Sequence, residues 1–402
     1  MSIRTAAFRR FRQAVRLAES RINPVSPPRA DVGEGIAAAL GHTLDGQGCR
    51  RPLVVLGAGS GPVRGGVTEA LTAAGLNIAV WDELPDRPTD ADADDLALFY
   101  QAERCDAFVA VGTGRAIDAA KLAAARVALP GRTVAATRGR VRLHGRKTPP
   151  VIAVPVVPGD GAETMGRVFL TDRHGAVVSA EGPALRPTLV VADPALTARA
   201  ERPLLAQAAA EGLCMAWEAD ISIFADAAAR TAAAAAVRGL LESAEPCWNT
   251  GGTAAQRSVL LEASRSVGEA VTVAGVGPVT ALCEVLEGEC GIPRGEACGA
   301  VLPAFMEKYG YYNRDPLAAV AAACGMDTGT RAERVAALIE RIRRTLFCLG
   351  LPEHIDGIQR SRFESIAARA ADAAKRTGCP FDVLAADYME LLQAVCETQY
   401  SR

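Results

Sequence analysis

The run Val111-Gly112-Thr113-Gly114-Arg115 carries the most readable chemistry in this chain. It follows a short apolar run, Ala107 to Val111, with the character of a buried parallel strand, and it leads into an alanine-rich segment that favours helix. A strand that turns on glycines into a helix N-terminus presents unpaired N–H groups and the positive end of the helix dipole, which is the chemistry of an anion site. A second glycine-rich turn, Gly57-Ala58-Gly59-Ser60-Gly61-Pro62, follows the apolar residues Leu53 to Leu56. It meets only part of the dinucleotide fingerprint G-x-G-x-x-G, because Pro62 stands where the last glycine belongs, although Asp82 ends the next strand at a distance suited to a ribose. Histidine, the commonest metal ligand, is scarce: His42, His144, His174 and His354 are the full set, and none lies between residues 175 and 353.

The elements that must position these groups alternate. Leu53–Leu56 reads as a strand, Val63–Ala74 as a helix, Asn77–Trp81 as a strand and Leu96–Ala102 as a helix. Beyond the central turn, Val151–Val157 reads as another buried strand, 167–172 and 176–180 as a hairpin turning at His174-Gly175, and Leu189–Val191 as a last strand. Such alternation indicates parallel α/β architecture. After about residue 195 strand patterns stop, and alanine-rich helical ones run to Val395, with breaks expected at Pro246–Gly252, Gly288–Pro293 and Leu349–Pro352. The expected organisation is an N-terminal arm (1–30), an α/β nucleotide-binding domain with a Rossmann-like parallel sheet (31–194) and an all-helical domain (195–402), with a ligand cleft between the two domains.

Composition narrows the class. Half of the 402 residues are hydrophobic and 22% are charged, which suits a compact fold, and the net charge of −2 gives no reason to expect nucleic acid. No apolar run approaches the roughly 18 residues of a membrane span. Eleven scattered cysteines with no C-x-x-C point to reduced thiols and a cytoplasmic protein. The first residues carry Arg4, Arg9, Arg10, Arg12 and Arg16 before the first acid, Glu19, with Phe8, Phe11 and Val15 on one helical face; this has the composition of a transit peptide, and an amphipathic arm packing on its own or a neighbouring subunit is the expected structure. Residues 130–150 hold Arg132, Arg138, Arg140, Arg142, Arg146 and Lys147, as either a solvated loop or a contact surface for an acidic ligand or peptide.

The order of segments resembles the iron-containing alcohol dehydrogenase family, related to dehydroquinate synthase and glycerol dehydrogenase, over nearly the whole chain. Val111-Gly112-Thr113-Gly114-Arg115 and the following Asp118-Ala119-Ala120-Lys121 are similar to the family's phosphate turn and its Asp-x-Ala-Lys. Glu83 to Thr89 resembles the preceding loop, Val154 to Glu163 the Pro-Thr-Thr-x-Gly-Thr-x-x-Glu segment, and Asp193-Pro194-Ala195-Leu196-Thr197 the Asp-Pro-x-Leu-Thr segment. Arg294-Gly295 through Leu302-Pro303 resembles the stretch where the family has His-Gly and then Leu-Leu-Pro. The resemblance implies a dehydroquinate synthase-like fold and a nicotinamide cofactor.

Departures from the family pattern bear on function. The family holds a divalent metal on one aspartate and three histidines, with a further histidine near the substrate. Laid over this chain, the aspartate falls on Glu211, the first histidine on Met215, the second on Thr280, the extra one on Glu284 and the last on Arg294. A thioether, a hydroxyl and a guanidinium beside one carboxylate do not suit such an ion, and a permanently protonated arginine repels it, so no metal is expected. Glu211, Thr280, Glu284 and Arg294 are the candidate catalytic residues. Arg294 and Glu211 either form an ion pair that plugs the vacated hole, or Arg294 clamps a substrate carboxylate or oxyanion while Glu284 or Glu211 accepts a proton.

The resemblance places a cofactor, NAD or NADP, against Gly57, Gly112, Thr113, Gly114, Arg115, Asp118, Val156, Val157 and Asp160. Gly57 replaces an acid and so removes repulsion of a 2′-phosphate. Arg115 adds positive charge, whereas Val156 and Val157 replace hydrogen-bonding threonines. Asp160 puts a carboxylate near the pyrophosphate, which calls for a partner such as Arg115. The expected function is a metal-independent NAD(P)-dependent oxidoreductase acting on a hydroxyl or carbonyl of a small molecule or peptide, as in specialised-metabolite or peptide tailoring, from a homodimer. The alternatives are a catalytically degenerate member that serves as scaffold or partner to another enzyme, and a lyase or synthase related to dehydroquinate synthase.

Overall fold

The computed structural model describes residues 26–172, 174–310 and 314–396; the arginine-rich start of the chain, expected as an amphipathic arm, lies outside them. The strands are β1 (Arg29–Val32), β2 (Pro52–Leu56), β3 (Ala79–Trp81), β4 (Ala107–Gly112), β5 (Gly139–Arg140), β6 (Val151–Pro155), β7 (Arg167–Thr171), β8 (Val177–Glu181) and β9 (Leu189–Ala192). Six of them form one parallel sheet in the order β1-β9-β6-β4-β2-β3. Every residue of β2, β4 and β6 is buried, because helices cover both faces.

The helices of this part are α1 (Leu40–Gly46), α2 (Arg64–Ala73), α3 (Asp90–Ala102) and α4 (Gly114–Ala128). Strand alternation divides the core: Leu53, Val55, Phe108 and Ala110 pack with α3 and α4, whereas Val54, Leu56, Val109 and Val111 pack with α1 and α2. Helix α3 begins six residues before the expected Leu96. Thr89 caps it, accepting from Asp92 N while the Asp92 carboxylate takes Thr89 N, a reciprocal capping box.

The second part holds α5 (Pro194–Thr197), α6 (Arg202–Ile221), α7 (Ala227–Thr250), α8 (Ala254–Ala274), α9 (Pro278–Cys290), α10 (Arg294–Tyr309), α11 (Arg314–Ala323), α12 (Arg331–Cys348), α13 (Phe363–Ala374) and α14 (Ala385–Val395). Helix α6 is buried on all sides from Ala208 to Ile221, so its polar residues Glu211, Glu218 and Asp220 are interior. Two expected breaks shift. Helix α7 runs through Pro246 and stops at Gly251, because a proline removes one N–H bond while Ala244 and Cys247 on either side stay buried in the core. Helix α9 passes Gly288 and ends at Gly291.

Strands β7 and β8 form the expected antiparallel hairpin, with β5 laid along β8. The hairpin turn reaches the helical part. A Cβ on Gly175 (φ 81°) would lie 2.1 Å from the carbonyl oxygen of Gly288, and one on Gly288 would lie 2.0 Å from that of Gly175, so glycine on both sides permits the contact. No single helix among the described residues is long and apolar enough to cross a membrane, and the cysteines are all free thiols.

Candidate active site

Strand β4 delivers the glycine turn. Gly112 has φ 139°, and a Cβ there would stand 2.7 Å from the Ala58 carbonyl oxygen, so the two strand-end turns lie against each other. Thr113 N donates to that oxygen at 3.1 Å, while Thr113 Oγ1 is buried with no hydrogen-bond partner. Helix α4 starts at Gly114 with no side-chain cap. The turn borders a cavity of about 180 Å³ that Thr113, Gly114, Arg115 and Asp160 line from one side and Gln207 and Glu211 of α6 from the other. An uncapped helix end beside a buried orphan hydroxyl fits a phosphate of a dinucleotide.

Other candidates for this site take different places. Gly57 lies behind the turn, its N donating to Val111 O at 3.0 Å. Asp118 does not border the cavity: its Oδ1 accepts from Lys121 Nζ at 2.9 Å and its Oδ2 from Phe169 N at 2.8 Å, which ties α4 to β7. Val156 and Val157 are core residues with no access to the cavity. Asp82 pairs with Arg64 at 2.7 Å. Asp160 accepts from Ala162 N at 3.1 Å, and its Oδ2 lies 2.0 Å from where a Gly114 Cβ would be. Arg115, expected to neutralise it, instead forms an ion pair with Glu287 of α9. Nearby Glu163 is buried, and burial together with the Asp160 charge pushes its carboxyl up to about 7.

The catalytic candidates gather where α6, α9 and α10 meet. Arg294 opens α10, and its Nε donates to Glu211 Oε2 at 2.7 Å while Nη2 donates to the same oxygen. Its guanidinium lies 4.6 Å over the ring of Phe169. Burial works against its charge, but Glu211 and then Glu287 outweigh burial and hold it firmly protonated. The remaining nitrogen, Nη1, is buried and has no hydrogen-bond partner. Glu284 faces the same region; burial pushes its carboxyl up to about 7, opposed by Arg294 and Arg167. Thr280 turns elsewhere. Its hydroxyl donates to Glu218 Oε2 at 2.6 Å, and Glu218 also accepts from Gly277 N, Val279 N and Thr280 N, so it caps α9.

Sequence reasoning missed Glu218, Glu287 and Phe169. Glu287 stands three residues after Glu284, on the same helix face, and that spacing was its one available signal. A divalent ion does not fit these residues. The cation Arg294 stands at the last ligand position, Met215 is packed in the core, and among the described residues no group of three or more His, Cys, Asp or Glu could hold a metal.

A larger cavity of about 740 Å³ opens on the far side, between the β7–β8 hairpin and helices α9 and α13, with Glu284 and Arg167 in its wall. Arg294 thus sits between the two cavities: its partner Glu211 lines the smaller one and Glu284 the larger.

Comparison with known proteins identifies the family. Residues 27–194 match the family model described as iron-containing alcohol dehydrogenase, and residues 206–396 match its C-terminal counterpart. The chain belongs to the iron-containing alcohol dehydrogenase family. Among relatives within this family, phosphonoacetaldehyde reductase of Streptomyces viridochromogenes is 30% identical over 386 residues, covering 91% of this chain and 90% of the relative. Methanol:N,N-dimethyl-4-nitrosoaniline oxidoreductase of a Mycobacterium species is 32% identical over 149 residues, a match of 36% of this chain and only 34% of that protein's length. Among solved structures, sulfoacetaldehyde reductase from Bifidobacterium kashiwanohense in complex with NAD+ superposes with a TM-score of 0.78 at 20% identity, covering 92% of this chain and 97% of that one. The parallel sheet followed by a helical region is the fold of this alcohol dehydrogenase family.

Proposed function

We propose that the chain is an NAD(P)-dependent oxidoreductase that interconverts a hydroxyl and a carbonyl, and that it does so without a metal ion. Its relatives include a methanol oxidoreductase and a phosphonoacetaldehyde reductase, and one structural neighbour holds NAD+, which supports the reaction class and the cofactor. The observation that carries the metal-free reading is the buried, unpartnered Nη1 of Arg294, a fixed donor on a permanent cation. Such a donor, pre-oriented by Glu211 and Phe169, stabilises negative charge developing on a substrate oxygen, which is what a metal would do there.

When bound, the nicotinamide supplies the acceptor for the hydride that leaves the alcohol carbon. The chain's own residues handle the oxygen. The Glu284 carboxylate takes the hydroxyl proton, Arg294 Nη1 donates a hydrogen bond to the oxygen that is left, and both roles reverse for carbonyl reduction. With a carboxyl pushed up to about 7, Glu284 is poised to exchange a proton near neutrality. On the cofactor side, Thr113 Oγ1 and the first N–H groups of α4 hold a phosphate, and Arg115 supplies charge if it leaves Glu287.

The test is turnover after exhaustive chelation, with NADH and NADPH binding followed by fluorescence. Saturable cofactor binding and chelator-resistant turnover support the proposal. Stoichiometric iron or zinc with chelator-sensitive turnover sinks the metal-free reading. Failure of either cofactor to bind at millimolar concentration favours the scaffold, for which the Asp160 carboxylate over Gly114 is the specific argument.

A further inference from the structure

The basic segment and the larger cavity belong to one feature. Residues 131 to 159 contain no acid, and Arg138 and Gly139 of that segment line the 740 Å³ cavity, where β5 runs along β8. Across the opening stand Arg369 of α13 and Arg376, two residues past the end of that helix. Burial grades along the cavity. Ala281, one turn before Glu284 on α9, is 3% exposed, whereas the side chains of Arg138, Arg369 and Arg376 are 46%, 58% and 76% exposed. The reacting end is therefore deep and the arginines form the mouth.

We infer that this cavity takes an extended substrate whose far end carries an oxyanion (a phosphate, phosphonate or carboxylate), held by Arg138, Arg369 and Arg376 while its hydroxyl or carbonyl reaches Glu284 and Arg294. The inference rests on the oxidoreductase reading only for where the reacting end lies. Size argues against a short alcohol as the fitted ligand, since the volume is in the range of sites for whole metabolites. The walls argue against a fatty one, being mainly small and charged side chains.

The three arginines have acidic partners: Asp172 for Arg138 at 2.8 Å, Glu289 for Arg369 at 2.9 Å and Asp372 for Arg376 at 3.6 Å. The arginine end of each pair is open to solvent, although Asp172 and Glu289 are largely buried and only the Arg376–Asp372 pair is exposed on both sides. A ligand oxyanion can therefore share the guanidinium, and arginine offers it two parallel N–H donors. The acid-free segment beside Arg138 adds long-range attraction for an anion entering the mouth.

Calorimetric binding of 1,4-butanediol, 4-hydroxybutanoate and 4-hydroxybutyl phosphate to the full chain, with and without NADPH, tests this without needing turnover. The phosphate ester is expected to bind at least about tenfold tighter than the diol at low salt, with the gap narrowing as salt rises. The Arg369→Gln/Arg376→Gln variant should shrink the gap to about threefold or less, as should Arg376→Gln in part, while Arg132→Gln on the same segment keeps it. Equal binding of diol and phosphate ester, or a gap that survives the double variant, overturns the inference. A chain that binds the phosphate ester through these arginines yet transfers no hydride upholds the inference and removes the oxidoreductase reading instead.

Discussion

Arg294 grips Glu211 by a single oxygen. Both Nε, at 2.7 Å, and Nη2 donate to Oε2, and the third nitrogen of the guanidinium is left buried without a partner. A pair that existed only to plug a hole gains nothing from an orphan donor, because an unmet buried N–H is destabilising. This geometry favours a donor held in readiness for a ligand.

Removing one member of the pair should be far worse than removing an exposed arginine. Arg294→Ala strands a buried Glu211 and is expected to lower stability by about 3–5 kcal/mol, whereas Arg142→Ala on the surface should stay within about 0.5 kcal/mol. Arg294→Met combined with Glu211→Gln should regain much of the loss in urea unfolding. Equal, small effects of Arg294→Ala and Arg142→Ala would show that the ion pair is not sealed from water.

Alcohol oxidation needs an ionised acceptor. With the Glu284 carboxyl pushed up to about 7 by burial, oxidation should rise with pH through that value and level off above it, and carbonyl reduction should run the opposite way. Glu284→Gln should remove that limb of the profile and slow turnover by about 10²–10⁴-fold. An unchanged pH profile in the variant would remove Glu284 from the proton path.

Cofactor binding should fail when the glycine turn is filled. Gly114→Asp places a second carboxylate against Asp160 at the start of α4, and Gly112→Ala drives a methyl into the Ala58 carbonyl. Both should abolish saturable quenching of NADH and NADPH fluorescence. Quenching that persists in Gly114→Asp, with unaltered affinity, would put the dinucleotide elsewhere.

Stability should depend on pH through Glu163. Its carboxyl is raised from an ordinary 4.5 to about 7, so the folded chain holds a proton that the unfolded chain has released between those values. The group's contribution is therefore complete on the acid side and is lost as pH rises through about 7. Relative to the parent, Glu163→Gln should gain stability as pH goes from about 5 to about 8, by at most about 3 kcal/mol. Melting curves that keep a constant offset across that range would contradict this.

Periodicity within a few residues made much of the fold legible. Leu53–Leu56, Ala107–Val111 and Val151–Val157 read as buried strands because their neighbours on both faces are helices, although the last of them ends at Pro155, and the change after residue 195 marked the helical part. The start of α3 was misplaced since its first turn is acidic rather than apolar; the Thr89–Asp92 box was the signal overlooked. Local propensity marks Pro246 and Gly288 as breaks because it takes no account of burial around Cys247 or of a glycine in the opposing hairpin.

The sequence alone determined that the chain has a glycine turn at a helix start, a histidine-poor second half and an arginine at the family's last ligand position. Those are matters of residue type and order. Only the tertiary structure decided partners: Arg294 with Glu211 and Phe169, Arg115 with Glu287 rather than Asp160, Thr280 with Glu218 rather than the site, and Arg138 on the same cavity as Arg369 and Arg376. A charged side chain pairs with whatever packing brings within a few ångströms, and at separations of 83 or 172 residues that depends on which helices meet, which no local pattern encodes.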